Sequence, residues 1–517
     1  MIADTKTLYK KFLQYSPCFF IVFIALFLRF CDIEQSLWLD EVYSLERSGI
    51  TGKLDSTWDM IVYIAHSDAH PPGYYLLLRF WASISQNHLW LKLLSIFLDI
   101  AGILFVYLIV LKITDMRKAF LCSLTLACSY FMIHYSQELR HYSLSNFISI
   151  FSTWCVLQAV ITKKIRYFYM YLIATTLGFY TYYYLAFLFA THGTMLLFYG
   201  GNDQNLLHNL RSSPRKATNI YQQITYQVNF ARWVKSQLVA TLLFFPWLYY
   251  VLPIRLSLFG SASVEKRGSI SLDNLYELLQ NFFVGESHLG HYAFAVILLL
   301  FITNILLFSN KKLLWLYTLV LLPVCIVFVF PFKGHIFQSK HLLYTFPLLV
   351  SIIAISTKSI KALILFLCTI IVCNLYIFSC EHHQQKQLWH SAISEMYQDV
   401  KRGDVLCFNP YYLEVPGMYY YKKSGPIRGK EIVPAFVYLS EQTTIPRSLK
   451  PYIYFEKQHL QRVKNRNLWL VEVVNCYSTP RSYAFFTWCE QLFERVEQRS
   501  YPGSFGTIVI RKYKPRK

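Results

Sequence analysis

Four short polar clusters hold the residue types that a displacement reaction needs. The first is Asp40-Glu41, in Ser36-Leu37-Trp38-Leu39-Asp40-Glu41. The second is Asp68-Ala69-His70-Pro71-Pro72, and the third is Ser136-Gln137-Glu138-Leu139-Arg140-His141-Tyr142. The fourth is basic, with Lys333, His335, Lys340 and His341. A carboxylate at the rim of a partly dry cavity can take a proton as a general base. Asp40 is the candidate for that role, and Glu41 and Glu138 are the further catalytic candidates, tuning Asp40 or orienting the substrate. Cationic and polar groups can hold an anion and stabilise charge building on a leaving group. Asp68, His70, Arg140, Lys340 and His341 are the candidates for binding substrate.

Each cluster also has an ordinary reading. Asp40-Glu41 can open a solvated loop. Asp68 can cap a helix whose first turn carries Pro71 and Pro72, although that leaves His70 unexplained. Glu138 and Arg140 can pair with each other, and Lys340 can snorkel at a helix end. What favours a shared site is the placement of the clusters along the chain.

That placement is set by membrane helices. The 517 residues are 55% hydrophobic and 15% charged, against about 25% charged in a soluble chain. Mean hydropathy is +0.33, and aromatics reach 18%, as suits membrane interfaces. Spans of about 20 apolar residues are expected at 16–33, 90–111, 119–135, 143–161, 167–183, 185–200, 236–254, 292–309, 313–330, 341–357 and 362–379. Lys6, Lys10 and Lys11 precede the first. No A-x-A-like cleavage site follows it, so it reads as a retained span with a cytoplasmic N-terminus.

Basic residues then follow every even-numbered span: Lys112, Arg117 and Lys118; Lys163, Lys164 and Arg166; Arg211 through Lys235; Lys311 and Lys312; Lys358 and Lys361. This is the positive-inside pattern. It absorbs much of the net charge of +21, and no nucleic-acid motif accompanies that charge. Residues 73–85 must then lie in the outer interface without spanning. All four polar clusters fall on the non-cytoplasmic face. So does the region from 380 onward, where short apolar runs at Val405–Phe408, Tyr452–Phe455, Leu468–Val474 and Thr507–Ile510 alternate with helical stretches at 387–402 and 482–497. The expected architecture is an α-helical polytopic membrane domain of about eleven helices, residues 1–379, with a catalytic outer loop at 34–89. A small soluble α/β domain follows at 380–517. The 12 cysteines show no CxxC spacing. The absence of an Asn-x-Ser/Thr sequon fits a bacterial inner membrane, with the C-terminal domain periplasmic.

Leu37-Trp38-Leu39-Asp40-Glu41, His70-Pro71-Pro72-Gly73-Tyr74-Tyr75-Leu76-Leu77-Leu78 and Ser136-Gln137-Glu138-Leu139-Arg140 resemble the GT-C superfamily of polytopic glycosyltransferases. The similar branch holds the protein O-mannosyltransferases and the aminoarabinose transferase of lipid A. Phe245-Pro246-Trp247-Leu248, Lys340-His341-Leu342-Leu343-Tyr344-Thr345-Phe346-Pro347, and Trp389 followed by Lys401-Arg402-Gly403-Asp404-Val405 resemble later segments of that family. The resemblance implies a polyprenyl-phosphate-linked sugar donor and a lipid, glycan or protein acceptor. It maps the reaction-centre acid to Asp40 and the donor-phosphate contacts to His70, Arg140, Lys340 and His341. Relatives often carry Arg where Lys340 stands and His where Tyr182 stands. Direct displacement would invert the anomeric carbon. No cofactor is required; acids and histidines together admit a divalent metal.

The rival reading is a transporter or flippase of lipid-linked sugars. It predicts charged residues within the spans, where Asp99 is the main one, and leaves the C-terminal domain unexplained. A lipid-linked-glycan ligase or polymerase would instead concentrate its arginines in one large outer loop.

Overall fold

The computed structural model describes residues 2–52, 54–199, 220–261, 272–285, 290–329, 338–381, 386–409, 411–425, 465–474, 486–487 and 489–516. Lys333, His335, Arg211 and the run Tyr452–Phe455 lie outside them. The chain divides into two compact units.

The first unit comprises residues 1–33, 68–253 and 263–382. Its helices are α1 (Ile2–Phe30), α4 (Gly73–Ala82), α5 (His88–Ile113), α6 (Met116–Ala127), α7 (Tyr130–Ser136), α8 (Tyr142–Thr162), α9 (Arg166–Thr181) and α10 (Leu185–Tyr199). Then come α11 (Ile220–Ser261), whose residues to 253 belong to this unit, α12 (Leu272–Val284), α13 (Gly290–Thr303), α14 (Thr318–Val329), α15 (Phe346–Ser356) and α16 (Ile360–Glu381). Each of the eleven expected spans falls on a helix or a broken pair. Among the described residues six helices are long and apolar enough to cross a membrane, and α6 with α7, bent by 58°, makes a seventh. Tyr15–Phe30, Leu185–Leu196 and Leu313–Val329 are apolar but shorter. The ten-residue α4 is about 15 Å long, too short for a hydrocarbon core of about 30 Å.

Apolar side chains point outward as well as inward, as a lipid environment requires. Phe19, Phe23 and Phe27 are exposed at four-residue spacing along α1, one stripe of the helix. Helix α8 packs against both α5 and α9. The buried charge of Arg29 is matched. Arg29 is fully buried, its Nη2 lies 2.6 Å from Asp99 Oδ2, and its Nη1 donates to the Ala127 carbonyl at 2.9 Å. Asp99 therefore serves as the counter-ion of a structural arginine, as intramembrane charges require.

The second unit comprises residues 34–67, 254–262 and 383–517. It contains α2 (Leu39–Arg47), α3 (Thr57–Ser67), α17 (Trp389–Asp399) and α18 (Glu414–Ser424). Its strands are β1 (Val405–Asn409), β2 (Leu468–Val474), β3 (Phe493–Tyr501) and β4 (Thr507–Pro515), in the order β1-β2-β4-β3. β1 pairs parallel to β2, and the other pairs are antiparallel. Leu468, Leu470, Val405, Cys407, Phe493 and Tyr513 form its core. The expected helix at 482–497 is corrected here: its last five residues begin β3. Glu494, Arg495 and Glu497 favour helix locally, but pairing with β4 overrides them. The strand is an exposed edge, where charged side chains are tolerated and block further pairing. Helix α2 packs on α18, so the segment bearing Asp40 belongs to this unit.

Candidate active site

In the membrane unit four loop ends are drawn together. Gly73 starts α4, and a Cβ there would lie 2.5 Å from the Tyr180 carbonyl oxygen. Only glycine permits that approach, which seats the start of α4 on the end of α9. The His70 ring then lies 5.8 Å from the Tyr182 ring. The turn before α8 is fixed independently. Gln137 Nε2 donates to the carbonyls of Arg29 at 3.0 Å and Cys31 at 2.8 Å, and Ser95 Oγ donates to the Glu138 carbonyl at 2.7 Å. This fixed turn presents His141, whose ring centroid is 4.4 Å from His70 and 4.6 Å from Tyr182.

Asp68 organises one side of the cluster. It is 6% exposed. Its Oδ1 lies 2.8 Å from His70 Nδ1 and accepts the His70 backbone N–H at 3.1 Å. Its Oδ2 accepts the Tyr75 hydroxyl proton, and Arg140 Nη1 reaches that hydroxyl at 3.5 Å. One carboxylate thus orients a histidine directly and an arginine through a tyrosine. On the other side the His341 ring stacks on Tyr184 at 6.0 Å, and its carbonyl accepts from Tyr182 Oη at 3.2 Å. Lys340 Nζ sits 5.9 Å from the Tyr142 ring centroid, a cation–π distance.

The electrostatics follow from burial. His141 is held well below the ordinary histidine range, first by burial and then by the positive character of His70, Arg140 and His341, with Asp68 opposing. It is neutral at pH 7. Burial likewise pushes Tyr184 up to about 12, so its phenol keeps its proton. The cluster is aromatic, proton-rich and cationic, as suits an anion that also carries an apolar ring or chain.

Asp40 stands in the second unit, in the first turn of α2 and half-buried. Its neighbour Glu41 is 3% exposed and accepts the Trp38 backbone N–H at 3.1 Å, closing the helix start as a cap. The preceding strap is pinned by the C-terminal part of the same unit. Gln387 Oε1 accepts from Leu39 N at 3.2 Å and from Trp389 Nε1 at 2.6 Å, while Leu37 N donates to Tyr420 Oη at 2.7 Å. Burial raises the Tyr420 phenol, so it keeps its proton.

Asp68, His70, Arg140 and His341 thus come together, with Lys340 adjoining through Tyr142. Glu138 is buried, its Oε1 3.7 Å from His134 Nε2. Sequence reasoning missed Tyr75 as the link between Asp68 and Arg140, and Tyr182 as the ring shared by two histidines. Among the described residues no group of three His, Cys, Asp or Glu side chains is arranged to hold a metal ion.

The family model described as dolichyl-phosphate-mannose-protein mannosyltransferase matches residues 69–209, a segment that carries His70, Glu138 and Arg140. No curated protein sequence matches the chain. Among solved structures, ArnT from Cupriavidus metallidurans in the apo state superposes with a TM-score of 0.56 at 9% identity, covering 95% of this chain and 97% of that one. The same protein bound to undecaprenyl phosphate gives 0.56 at 10% identity, with 96% and 98% covered. In fold over nearly its whole length, and in sequence over residues 69–209, this chain is similar to the GT-C polytopic glycosyltransferases.

Proposed function

We propose that the protein is a membrane glycosyltransferase that moves a sugar from a polyprenyl-phosphate donor to a lipid, glycan or protein acceptor. The observation that carries this reading is the cluster of His70, Arg140, Lys340 and His341 within a polytopic unit, oriented by Asp68 and Tyr75. In this reading these groups receive the donor phosphate while the prenyl tail stays in the lipid. Asp40 takes the proton of the acceptor hydroxyl. The acceptor oxygen bonds to the anomeric carbon as the bond to the phosphate oxygen breaks, and the electron pair leaves with the phosphate. Attack opposite the leaving group inverts that carbon. Glu41 supports Asp40 by capping its helix, and Glu138 steadies the turn that carries Arg140. The basic loops after the even-numbered spans support a reaction on the non-cytoplasmic face of an inner membrane.

The test supplies membranes containing the protein with labelled polyprenyl-phosphate hexoses and pentoses and follows label into acceptors. Transfer from one of them, absent from control membranes, supports the reading. Movement of the intact lipid-linked sugar across the membrane without transfer would replace it with a carrier.

A further inference from the structure

His141 is the one member of the cluster whose ring nitrogens, Nδ1 and Nε2, both lack a hydrogen-bond partner among the described residues. The side chain is 2% exposed, so water does not readily supply the missing bonds. A buried imidazole left in this way costs stability, and such a cost is expected where a ligand completes the site. His141 is also the N-cap of α8, a 21-residue helix whose start has no side-chain cap. Long helix N-termini favour anions. The groups facing it come from every surrounding element: Asp68 and His70 from the segment before α4, Arg140 and Tyr142 from its own turn, Tyr182 from the end of α9, and His341 from the segment before α15.

We propose that His141 is a ligand of the leaving phosphate that is neutral while the donor is bound and takes a proton from solvent when the phosphate monoester is formed. This rests on the glycosyltransferase reading. A polyprenyl-phosphate sugar is a diester with one negative charge, whereas the released polyprenyl phosphate carries about −1.5 to −2 at pH 7. The second charge appears only as the bond between sugar and phosphate breaks. A histidine kept neutral by burial beside cations adds no positive charge to the ground state. It becomes a second N–H donor when the new charge arrives, so its contribution grows along the reaction. The acceptor's proton goes to Asp40 in this scheme, and the proton on His141 is a separate one from water.

Undecaprenyl phosphate is titrated into the full-length protein in detergent at pH 7.5, by calorimetry in two buffers of different ionisation enthalpy. The wild type is expected to take up a proton as it binds. His141→Gln, which keeps hydrogen-bonding atoms but cannot titrate, is expected to lose that uptake and to bind about tenfold more weakly, as for loss of one charged hydrogen bond. Wild-type affinity should tighten from pH 8 to pH 6.5 more steeply than that of the variant. Binding by the wild type without proton uptake overturns the His141 inference and leaves the donor reading standing, whatever the variant's folding. Uptake that persists undiminished in a folded His141→Gln overturns it equally. Failure of the wild type to bind undecaprenyl phosphate at all overturns both.

Discussion

Tyr75→Phe isolates the link on which the arrangement of Asp68, His70 and Arg140 depends. Tyr75 is 1% exposed, and phenylalanine fills the same volume, so no cavity opens. What goes is the hydroxyl that donates to Asp68 Oδ2 and accepts from Arg140 Nη1. A hydrogen bond to a buried carboxylate contributes about 1.5–3 kcal/mol. The arginine contact at 3.5 Å is long and adds little. Asp68 retains its two contacts to His70, so the loss is about 2 kcal/mol, divided between folding and donor binding. If half reaches donor binding, kcat/KM falls about fivefold; if all does, about thirtyfold. The assay is sugar transfer at subsaturating donor, with thermal unfolding of the same preparation in detergent. A variant equal to wild type in both would refute the claim that Asp68 reaches Arg140 through Tyr75.

Asp99→Ala should destabilise the membrane unit by about 3–5 kcal/mol, because it strands the fully buried Arg29 charge; a melting temperature within a degree of wild type would contradict this. Gln387→Ala removes the acceptor shared by Leu39 N and Trp389 Nε1 and should cost about 1–3 kcal/mol. Protease cleavage within 34–67 should accelerate in that variant, and an unchanged cleavage rate would remove Gln387 as the pin of the Asp40 strap.

The membrane helices were legible because hydropathy over a span is a local property, summed over many residues. Hydropathy located eleven apolar helical segments, six or seven of them long enough among the described residues to cross a membrane, and the basic-loop pattern with its short length set α4 apart. The strands of Val405–Phe408, Leu468–Val474 and Thr507–Ile510 were legible for the same reason, being apolar runs too short for a span. β3 was not, since Glu494-Arg495-Val496-Glu497 has helical composition and becomes a strand only through β4. His70, Arg140, Lys340 and His341 could be nominated by residue type, because charge beside a span is costly wherever it lies. Their companions could not. Tyr75 sits among many tyrosines, and although the resemblance marked the position of Tyr182, its place beside His70 follows from Gly73 against Tyr180, a contact across more than a hundred residues. Glu41 hid its capping role because the N-cap is Trp38 where the usual pattern has Ser or Thr. The pairing of Arg29 with Asp99 likewise depends on how α1 meets α5, which no local pattern encodes.

The most direct measurement is sugar transfer from a labelled polyprenyl-phosphate donor by membranes containing wild type or Asp40→Asn at matched expression, with undecaprenyl-phosphate binding measured on both. Loss of a general base removes about 10²–10⁴-fold of rate. The account predicts a fall of that size in transfer while binding stays within about twofold, since Asp40 is assigned to the acceptor's proton and not to the phosphate. Transfer by Asp40→Asn at the wild-type rate would contradict it and take Asp40 out of the chemistry.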